Sequence, residues 1–334
     1  MSLDINRKKV TKNAYRITKR RNFTAARVRV PGGHLKSNQI ALIANIADQF
    51  GDGTLHITAR QGFEIPNIPF EKIDQVNLAL KQLIKELQID NNVQIELTDN
   101  GYPAAGMRNI SACIGNRVCP FANCDTTAVA QRLEAVMYPL DFHFKIAVTG
   151  CPNDCIKAHM QDFGIVSICI PEYDYDECIG CEACVKNCRR KVTGALLFKN
   201  SKVLRDERRC IGCGECVRTC PTFAWTRKPG KYYRLLIMGR TGKKNPRLAM
   251  PFINNATEEV ITQIIKNTIG FVDRYILRCL PKEHIGYIVD RVGFQTYKKE
   301  VLEQVELNSE ASVARKMQWP GYNTLNDAEL FKIV

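Results

Sequence analysis

The sequence predicts an α+β fold interrupted by an inserted cysteine-rich module. Apolar stretches of period two alternate with stretches of helical period over most of the chain, and this alternation stops between residues 172 and 227. That interval is rich in Cys, Gly, Arg and Lys and is bounded by Pro171 and Pro229. A chain of 334 residues can bury one large core or two smaller ones and still carry such a module.

Residues 1–22 read as a polar, basic arm without the apolar centre of an export signal. No apolar run approaches 18 residues, so the sequence predicts no transmembrane helix and, by default, a cytoplasmic location. A strand is expected over Ala25–Val30, stopped by Pro31-Gly32-Gly33, then a helix carrying Ile40, Ile43, Ala44, Ala47 and Phe50 and ending at Gly51. A strand at 55–58, a helix over 73–87 and a strand at 93–97 complete a half-domain spanning 23–98. A second domain is expected over 99–171 and 228–310. It holds a helix near 126–137, a strand near 143–148, a short helix starting by Pro152 and a strand near 164–169. After the insert come a strand at 235–238, a long helix over 257–278, a helix near 296–306 and a tail over 311–334.

Twelve of the fifteen cysteines fall into four ligand-spaced groups, which in a long chain without an export signal indicates metal binding rather than a disulfide framework. Cys178, Cys181, Cys184 and Cys188 form C-x2-C-x2-C-x3-C; Cys210, Cys213, Cys216 and Cys220 repeat it, with Pro221 following. This is the ligand run of bacterial two-cluster ferredoxins, in which the fourth cysteine of each run serves the other cluster. The resemblance implies Cys178, Cys181, Cys184 and Cys220 on one 4Fe-4S cluster and Cys210, Cys213, Cys216 and Cys188 on a second. Zinc is the bland alternative, but it takes paired knuckles rather than two runs of four. Arg189 stands where the first run would be followed by proline.

Two further pairs, Cys113-x5-Cys119 and Cys151-x3-Cys155, could be zinc ligands or core cysteines; the i, i+4 spacing of the second would place both thiols on one helical face. At this point the chain resembles the siroheme-dependent sulfite and nitrite reductases, whose hallmark is C-x5-C…C-x3-C. Further landmarks stand in order: RVRVPGG (27–33), TARQGFEIP (58–66), GMRNISAC (106–113), FHFKIAVTGCPNDC (142–155) and GRTGKKNPRL (239–248). Within the family the chain is most similar to the C subunits of anaerobic, NADH-linked sulfite reductases, which carry a two-cluster insert just after GCPNDC.

The resemblance implies a reductase half-repeat: a ferredoxin-like half-domain, a siroheme and 4Fe-4S α/β domain, and the inserted ferredoxin module. It implies siroheme and three 4Fe-4S clusters, with Cys113, Cys119 and Cys151 on the siroheme-coupled cluster and Cys155 bridging it to the macrocycle iron. It places Arg29, Arg108 and Lys145 toward the sulfite oxygens. His143 stands where the family often has a second lysine, and can replace it as cation or proton donor or point away. Arg60, Gln61, Arg117, Arg240, Lys243 and Arg247 are implied for the siroheme carboxylates, although each basic residue taken alone reads as a solvated surface charge. Gly32, Gly33 and Gly150 either admit the macrocycle or serve ordinary turns.

The expected reaction is six-electron reduction of sulfite to sulfide, with electrons entering through the insert. The implied partners are an iron-sulfur subunit and a flavin-dependent NADH oxidoreductase subunit, because this chain has no G-x-G-x-x-G fingerprint. It supplies about one set of half-repeats, so a homo-oligomer could complete the site. Nitrite reduction to ammonia and a non-catalytic electron-transfer subunit are the competing readings. A net charge of +14 suits a polyanionic cofactor or simply a solvated surface. No nucleic-acid module accompanies it. Cys124, Cys169 and Cys279 lie outside every group and have no assigned role.

Overall fold

A computed structural model describes residues 14–91, 107–138, 140, 142–242, 245–278 and 283–319. The expected strand at 93–97, Lys243, Cys279 and the end of the tail lie outside these residues. Two compact units emerge: 1–113 with 127–148 and 265–303, and 114–126 with 149–264 and 304–334.

The first unit opens with an antiparallel sheet of β1 (Tyr15–Ile17), β2 (Phe23–Val28), β3 (His56–Ile57) and β4 (Phe63–Pro69), in the order β1-β2-β4-β3. Helices α1 (Ser37–Phe50) and α2 (Ile73–Asn91) belong with it. Their apolar stripes meet the sheet in one core: Ile43, Ile46 and Ala47 from α1, Val76, Leu80 and Leu83 from α2, Ala26, Val28, Ile65 and Ile68 from the strands. β1 lies inside the stretch read as a polar arm, because Tyr15 is buried there and donates its hydroxyl to the Ile73 carbonyl at 3.1 Å.

β4 went unread because Pro66, Asn67 and Pro69 look like punctuation. The sheet tolerates them because β3 covers β4 only at Phe63 and Glu64. Beyond that point no described residue is paired with β4 on the side away from β2, where a missing N–H costs little.

β5 (Ser111–Ala112), α3 (Thr126–Met137) and β6 (Ile146–Thr149) follow, with β5 and β6 pairing in parallel. The unit closes with the later part of the helix Glu258–Tyr275 and the helices Ile285–Val292 and Phe294–Val301. The helix expected near 296–306 is Phe294–Val301, ending earlier than expected, and the helix Ile285–Val292, separated from it by Gly293 with φ of 100°, was not expected.

The second unit is built on β7 (Phe163–Ile168). Expected short-helix structure at Pro152 is absent: Asp154 and Lys157 adopt positive φ, and only a 3-10 turn at Ala158–Met160 follows. The inserted module contains β8 (Pro171–Tyr173), α4 (Ala183–Lys191), β9 (Leu196–Lys199), β10 (Lys202–Arg205), α5 (Glu215–Thr219) and β11 (Trp225–Arg227). β8 and β11 pair antiparallel with Pro171 opposite Arg227, so the module leaves and rejoins the main chain at one neck. β12 (Tyr232–Ile237), β13 (Met250–Ala256) and β14 (Ser312–Val313) complete a sheet in the order β14-β13-β12-β7.

β7 leaves no room beside residue 164. A Cβ added to Gly164 would lie 2.5 Å from the Ala158 carbonyl oxygen and 3.1 Å from Leu236. We expect Gly164→Ala to destabilise the chain by about 1–3 kcal/mol, as overpacking does, read as a lower urea midpoint at unchanged m-value.

Candidate functional site

The module's core consists largely of its ligand candidates. Cys184 and Cys188 are buried with Val185, Ala195, Leu196, Val203 and Trp225, and Cys178, Cys210, Cys216 and Cys220 pack against them. The two runs repeat in conformation as well as spacing. Gly180 and Gly212 have φ of 68° and 70°; Glu182 and Gly214, which precede α4 and α5, have φ of 56° and 75°. Asn187 of α4 donates to Glu215 Oε2 at 2.8 Å and Thr219 Oγ1 at 3.1 Å, tying the two ligand helices together.

Burial pushes the thiols of Cys184, Cys213 and Cys216 upward. Neighbouring thiols add to this: Cys220 and Cys181 act on Cys184, and Cys210 and Cys188 act on Cys213. Cys216 is pushed up in turn by Cys169, Cys210 and Cys213. Desolvated thiolates need a nearby positive charge, which iron supplies, so the donor set fits clusters. Among the described residues no three His, Cys, Asp or Glu converge on a single ion; thiolates on separate irons of a cubane need not. Because the thiols are the core, stripping iron from the holoprotein with an anaerobic chelator should open the module. We expect limited proteolysis to cut first within 172–227.

The second cysteine group sits on two loops. Cys113 follows β5, its N–H bonded to the Val148 carbonyl at 3.1 Å. Cys119 closes a turn onto Gly115 at 2.9 Å, and Asn123 N–H reaches the Gly150 carbonyl at 2.7 Å, holding the 119–123 loop to the Cys151 loop. Cys151 and Cys155 lie on a turn, not on a helical face. Asp154 makes that turn: its carboxylate accepts from the N–H groups of Ala158 at 2.6 Å and His159 at 3.1 Å and from His159 Nδ1 at 2.6 Å. Burial opposes ionisation there, but these bonds prevail and hold the Asp154 carboxyl below its usual range. Cys155 is exposed, open to a ligand from outside.

The glycines have local reasons. A Cβ on Gly33 would meet the Gln61 side chain at 2.7 Å, and one on Gly150 would meet Ala122 Cβ at 2.5 Å. They admit the protein's own packing, which is the ordinary-turn reading. Gln61 is likewise committed: its amide donates to the Ala112 carbonyl at 2.7 Å and accepts from the Ala112 N–H at 2.8 Å. It anchors β5 instead of facing outward.

In the first unit, arginines crowd together. Arg108 is largely buried, and desolvation lowers it to about 10; the guanidiniums of Arg27, Arg60, Arg16 and Arg29 add to the effect. Its backbone N–H is pinned to the Phe144 carbonyl at 2.9 Å, beside the buried Lys145. Glu64 offsets Arg16 and Arg27, at 2.6 and 2.9 Å.

Arg29, expected to face an anion, is engaged in a buried ion pair. Nε and Nη2 donate to Glu134 Oε1 at 3.0 and 2.5 Å, Nη1 donates to the Met107 carbonyl at 2.6 Å, and the Tyr138 ring lies 4.1 Å from the guanidinium carbon. Burial pushes Glu134 upward against the pull of Arg29. Sequence reasoning missed Glu134 because a lone carboxylate in α3 reads as a solvated charge. Asn109, also missed, clamps the Val30 backbone and the Arg60 carbonyl, the latter at 2.7 Å. His143 is half-buried with its ring 4.1 Å from that of buried His284.

In the second unit Arg240 and Arg247 are buried, bridging strand to strand, with Nε bonded to the carbonyls of Asn245 and Met238, each at 2.8 Å. Arg117 is partly exposed, 3.9 Å from Asp125.

Cysteine loops of this spacing on this fold define a class. The family model described as the nitrite and sulphite reductase 4Fe-4S domain matches residues 104–309, and that of the nitrite/sulfite reductase ferredoxin-like half domain matches 16–83. The chain belongs to the nitrite and sulfite reductase family. It is 45% identical over 322 residues, 96% of this chain and 95% of the relative, to the C subunit of the anaerobic sulfite reductase of Salmonella typhimurium. It is 28% identical over 284 residues to the coenzyme F420-dependent sulfite reductase of Methanocaldococcus jannaschii, covering 82% of this chain and 41% of that one. Among solved structures, dissimilatory sulfite reductase I aligns with a TM-score of 0.65 at 15% identity, covering 92% of this chain and 74% of that chain. The NirA protein of Mycobacterium tuberculosis aligns at 0.52 and 13% identity, covering 85% and 40%. Both define the fold alone. Among the described residues no helix is long and apolar enough to cross a membrane.

Proposed function

We propose that this chain is the catalytic subunit of a siroheme-dependent sulfite reductase, taking electrons through its ferredoxin module from an iron-sulfur and flavin partner. The observation that carries this reading is the clustering of Arg16, Arg27, Arg29 and Arg60 around Arg108, whose guanidinium is lowered to about 10 by desolvation and by their like charge. Glu64 offsets Arg16 and Arg27 and Glu134 offsets Arg29, and five guanidiniums set against these two carboxylates leave a positive balance that suits an anion. A polycarboxylate macrocycle and an oxyanion substrate are such anions.

In this reading Cys113, Cys119, Cys151 and Cys155 would hold the cluster coupled to the siroheme, and the module's crossed sets would hold two more. When bound, the siroheme and its cluster supply a coordination site for sulfur and the stored electrons. The chain's own residues do the rest. Arg108 remains protonated at neutral pH and presents fixed donors to the sulfite oxygens, stabilising charge as oxygen departs. Lys145, buried just before β6, would hand a proton to a departing oxygen, with His143 as a second proton carrier. Arg60, Arg240 and Arg247 balance macrocycle carboxylates. Arg29 serves through Glu134, held in reserve until an anion competes for it.

The 45% identity to a sulfite reductase subunit over nearly the whole chain favours sulfite over nitrite. Viologen-driven turnover of both anions by the fully loaded protein tests the choice. We expect Arg108→Ala to lower kcat/KM for sulfite by about a hundredfold or more, the usual cost of one oxyanion donor, with siroheme content retained. Unaltered kcat/KM would remove Arg108 from the pocket. No turnover in a fully loaded preparation would make the chain an electron-transfer subunit.

A further inference from the structure

The two ends of the ferredoxin module differ, and the difference gives the electron path a direction. One end faces the Cys151 loop. A cleft of about 430 Å³ is lined there by Cys151, Asn153 and Phe121 on one side and by Lys191, Ile211 and Cys213 of the module on the other. Arg218 of α5 stacks 4.1 Å over the Phe121 ring, and Arg227 donates to Asn123 Oδ1, so the second ligand loop is fastened to the loop that follows Cys119. Cys213 and Cys151 therefore share one enclosed space, whereas Cys181 is exposed.

The other end is built differently. Ile179 and Phe223 are 68% and 74% exposed beside Cys178, Cys181 and Cys220. Phe223 has φ of 61°, a conformation that a bulky residue adopts at a cost. It is held there by its neighbours: Thr222 Oγ1 donates to the Glu177 carbonyl at 2.6 Å, and Asp174 N–H donates to the Ala224 carbonyl at 2.7 Å. A strained aromatic fixed in solvent next to a cluster ligand gains nothing for the fold. Around it residues 172–182 carry five carboxylates, Glu172, Asp174, Asp176, Glu177 and Glu182, and no Lys or Arg. None of the five forms a salt bridge among the described residues, although Glu172 acts on Lys228 at the neck and Lys202 lies 4.1 Å over the Tyr175 ring at the edge of the stretch. In a chain of net charge +14 this is a local reversal of sign.

We propose that this acidic, apolar-centred face is the docking surface for a redox protein whose electron-transfer edge is ringed by cations. The cluster of Cys178, Cys181, Cys184 and Cys220 receives its electron, and that of Cys210, Cys213, Cys216 and Cys188 passes it on across the cleft toward Cys151. The inference rests on the cluster assignments above. Each passage moves one electron: the donor is oxidised, the receiving cluster is reduced and then reoxidised by the next, and no bond changes. An apolar centre excludes water from the contact while the charged rim steers encounter.

The test uses the holoprotein and a protein of known basic rim, ferric cytochrome c, run in the reverse direction as electron acceptor from the viologen-reduced chain. We expect its second-order reduction rate to fall with ionic strength and, at low salt, to fall about tenfold or more in the Asp176→Lys/Glu177→Lys double variant. Viologen-driven sulfite turnover and iron content should remain as in the unsubstituted chain. Phe223→Ser should slow cytochrome c reduction at every salt concentration. A rate indifferent to salt and to both variants would overturn the docking face. The order of clusters is read by freeze-quench EPR: sulfite should reoxidise the remaining module cluster in Cys181→Ser but leave it reduced in Cys213→Ser. The opposite pattern would reverse the path. Absence of viologen-driven sulfite turnover in the unsubstituted chain would instead defeat the proposed function, whatever cytochrome c shows.

Discussion

Repulsion among buried guanidiniums is the constraint around which the first unit is arranged. β2, with the segment just after it, and the turn before β4 bring Arg27, Arg29 and Arg60 toward Arg108, where burial of Arg29 and desolvation of Arg108 weaken water's screening. The fold neutralises part of this charge itself. Glu64 takes Arg16 and Arg27 at the sheet, and Glu134 takes Arg29 in the interior. Asn109 joins the Val30 and Arg60 backbones to the chain next to Arg108, so the crowd cannot disperse without breaking those bonds. Scaffold and charge excess are therefore one design, with an anion as its missing component.

The second unit depends on a different compensation. Its module offers few aliphatic side chains, and its thiols fill the space that leucines occupy elsewhere. Buried thiols resist ionisation, so apo and loaded forms differ in more than occupancy: loading converts desolvated neutral groups into metal-bound thiolates and supplies the cohesion that the apolar content does not. The positive-φ positions at Gly180, Gly212, Glu182 and Gly214 are the turns this requires, and Glu182 shows that the first run accepts strain where the second has glycine.

Much of this was legible in the sequence, for physical reasons. Cysteine spacing is local, so the two runs within 172–227 and the two pairs outside it could be read directly, whereas which thiols share a cluster belongs to the proposed reading. α1 and α2 were legible because their apolar stripes face one core, and α3 because Val129, Ala130, Leu133 and Met137 recur at helical spacing and are buried. β4 and β13 were not, since Pro66, Pro69 and Pro251 punctuate strands whose tolerance for proline depends on how far a neighbouring strand extends. The turn at Asp154 was misread because i, i+4 spacing suits a helix equally well, and only the carboxylate's bonds to Ala158 and His159 decide the matter. Glu134 was invisible because its significance lies in a partner 105 residues away.

That long-range pairing also explains how an anion site can be stable before it is filled. An uncompensated buried arginine would be destabilising, yet a fully compensated one would have no affinity left for substrate. Glu134 lies between these limits: Oε1 takes both donors from Arg29, while Oε2 is buried with no hydrogen-bond partner among the described residues. A half-satisfied carboxylate holds its arginine less tightly than a bidentate one would. The pair keeps Arg29 oriented while Oε2 stays unsatisfied, and this is the incompleteness that the proposed role of Arg29 toward an oxyanion would use.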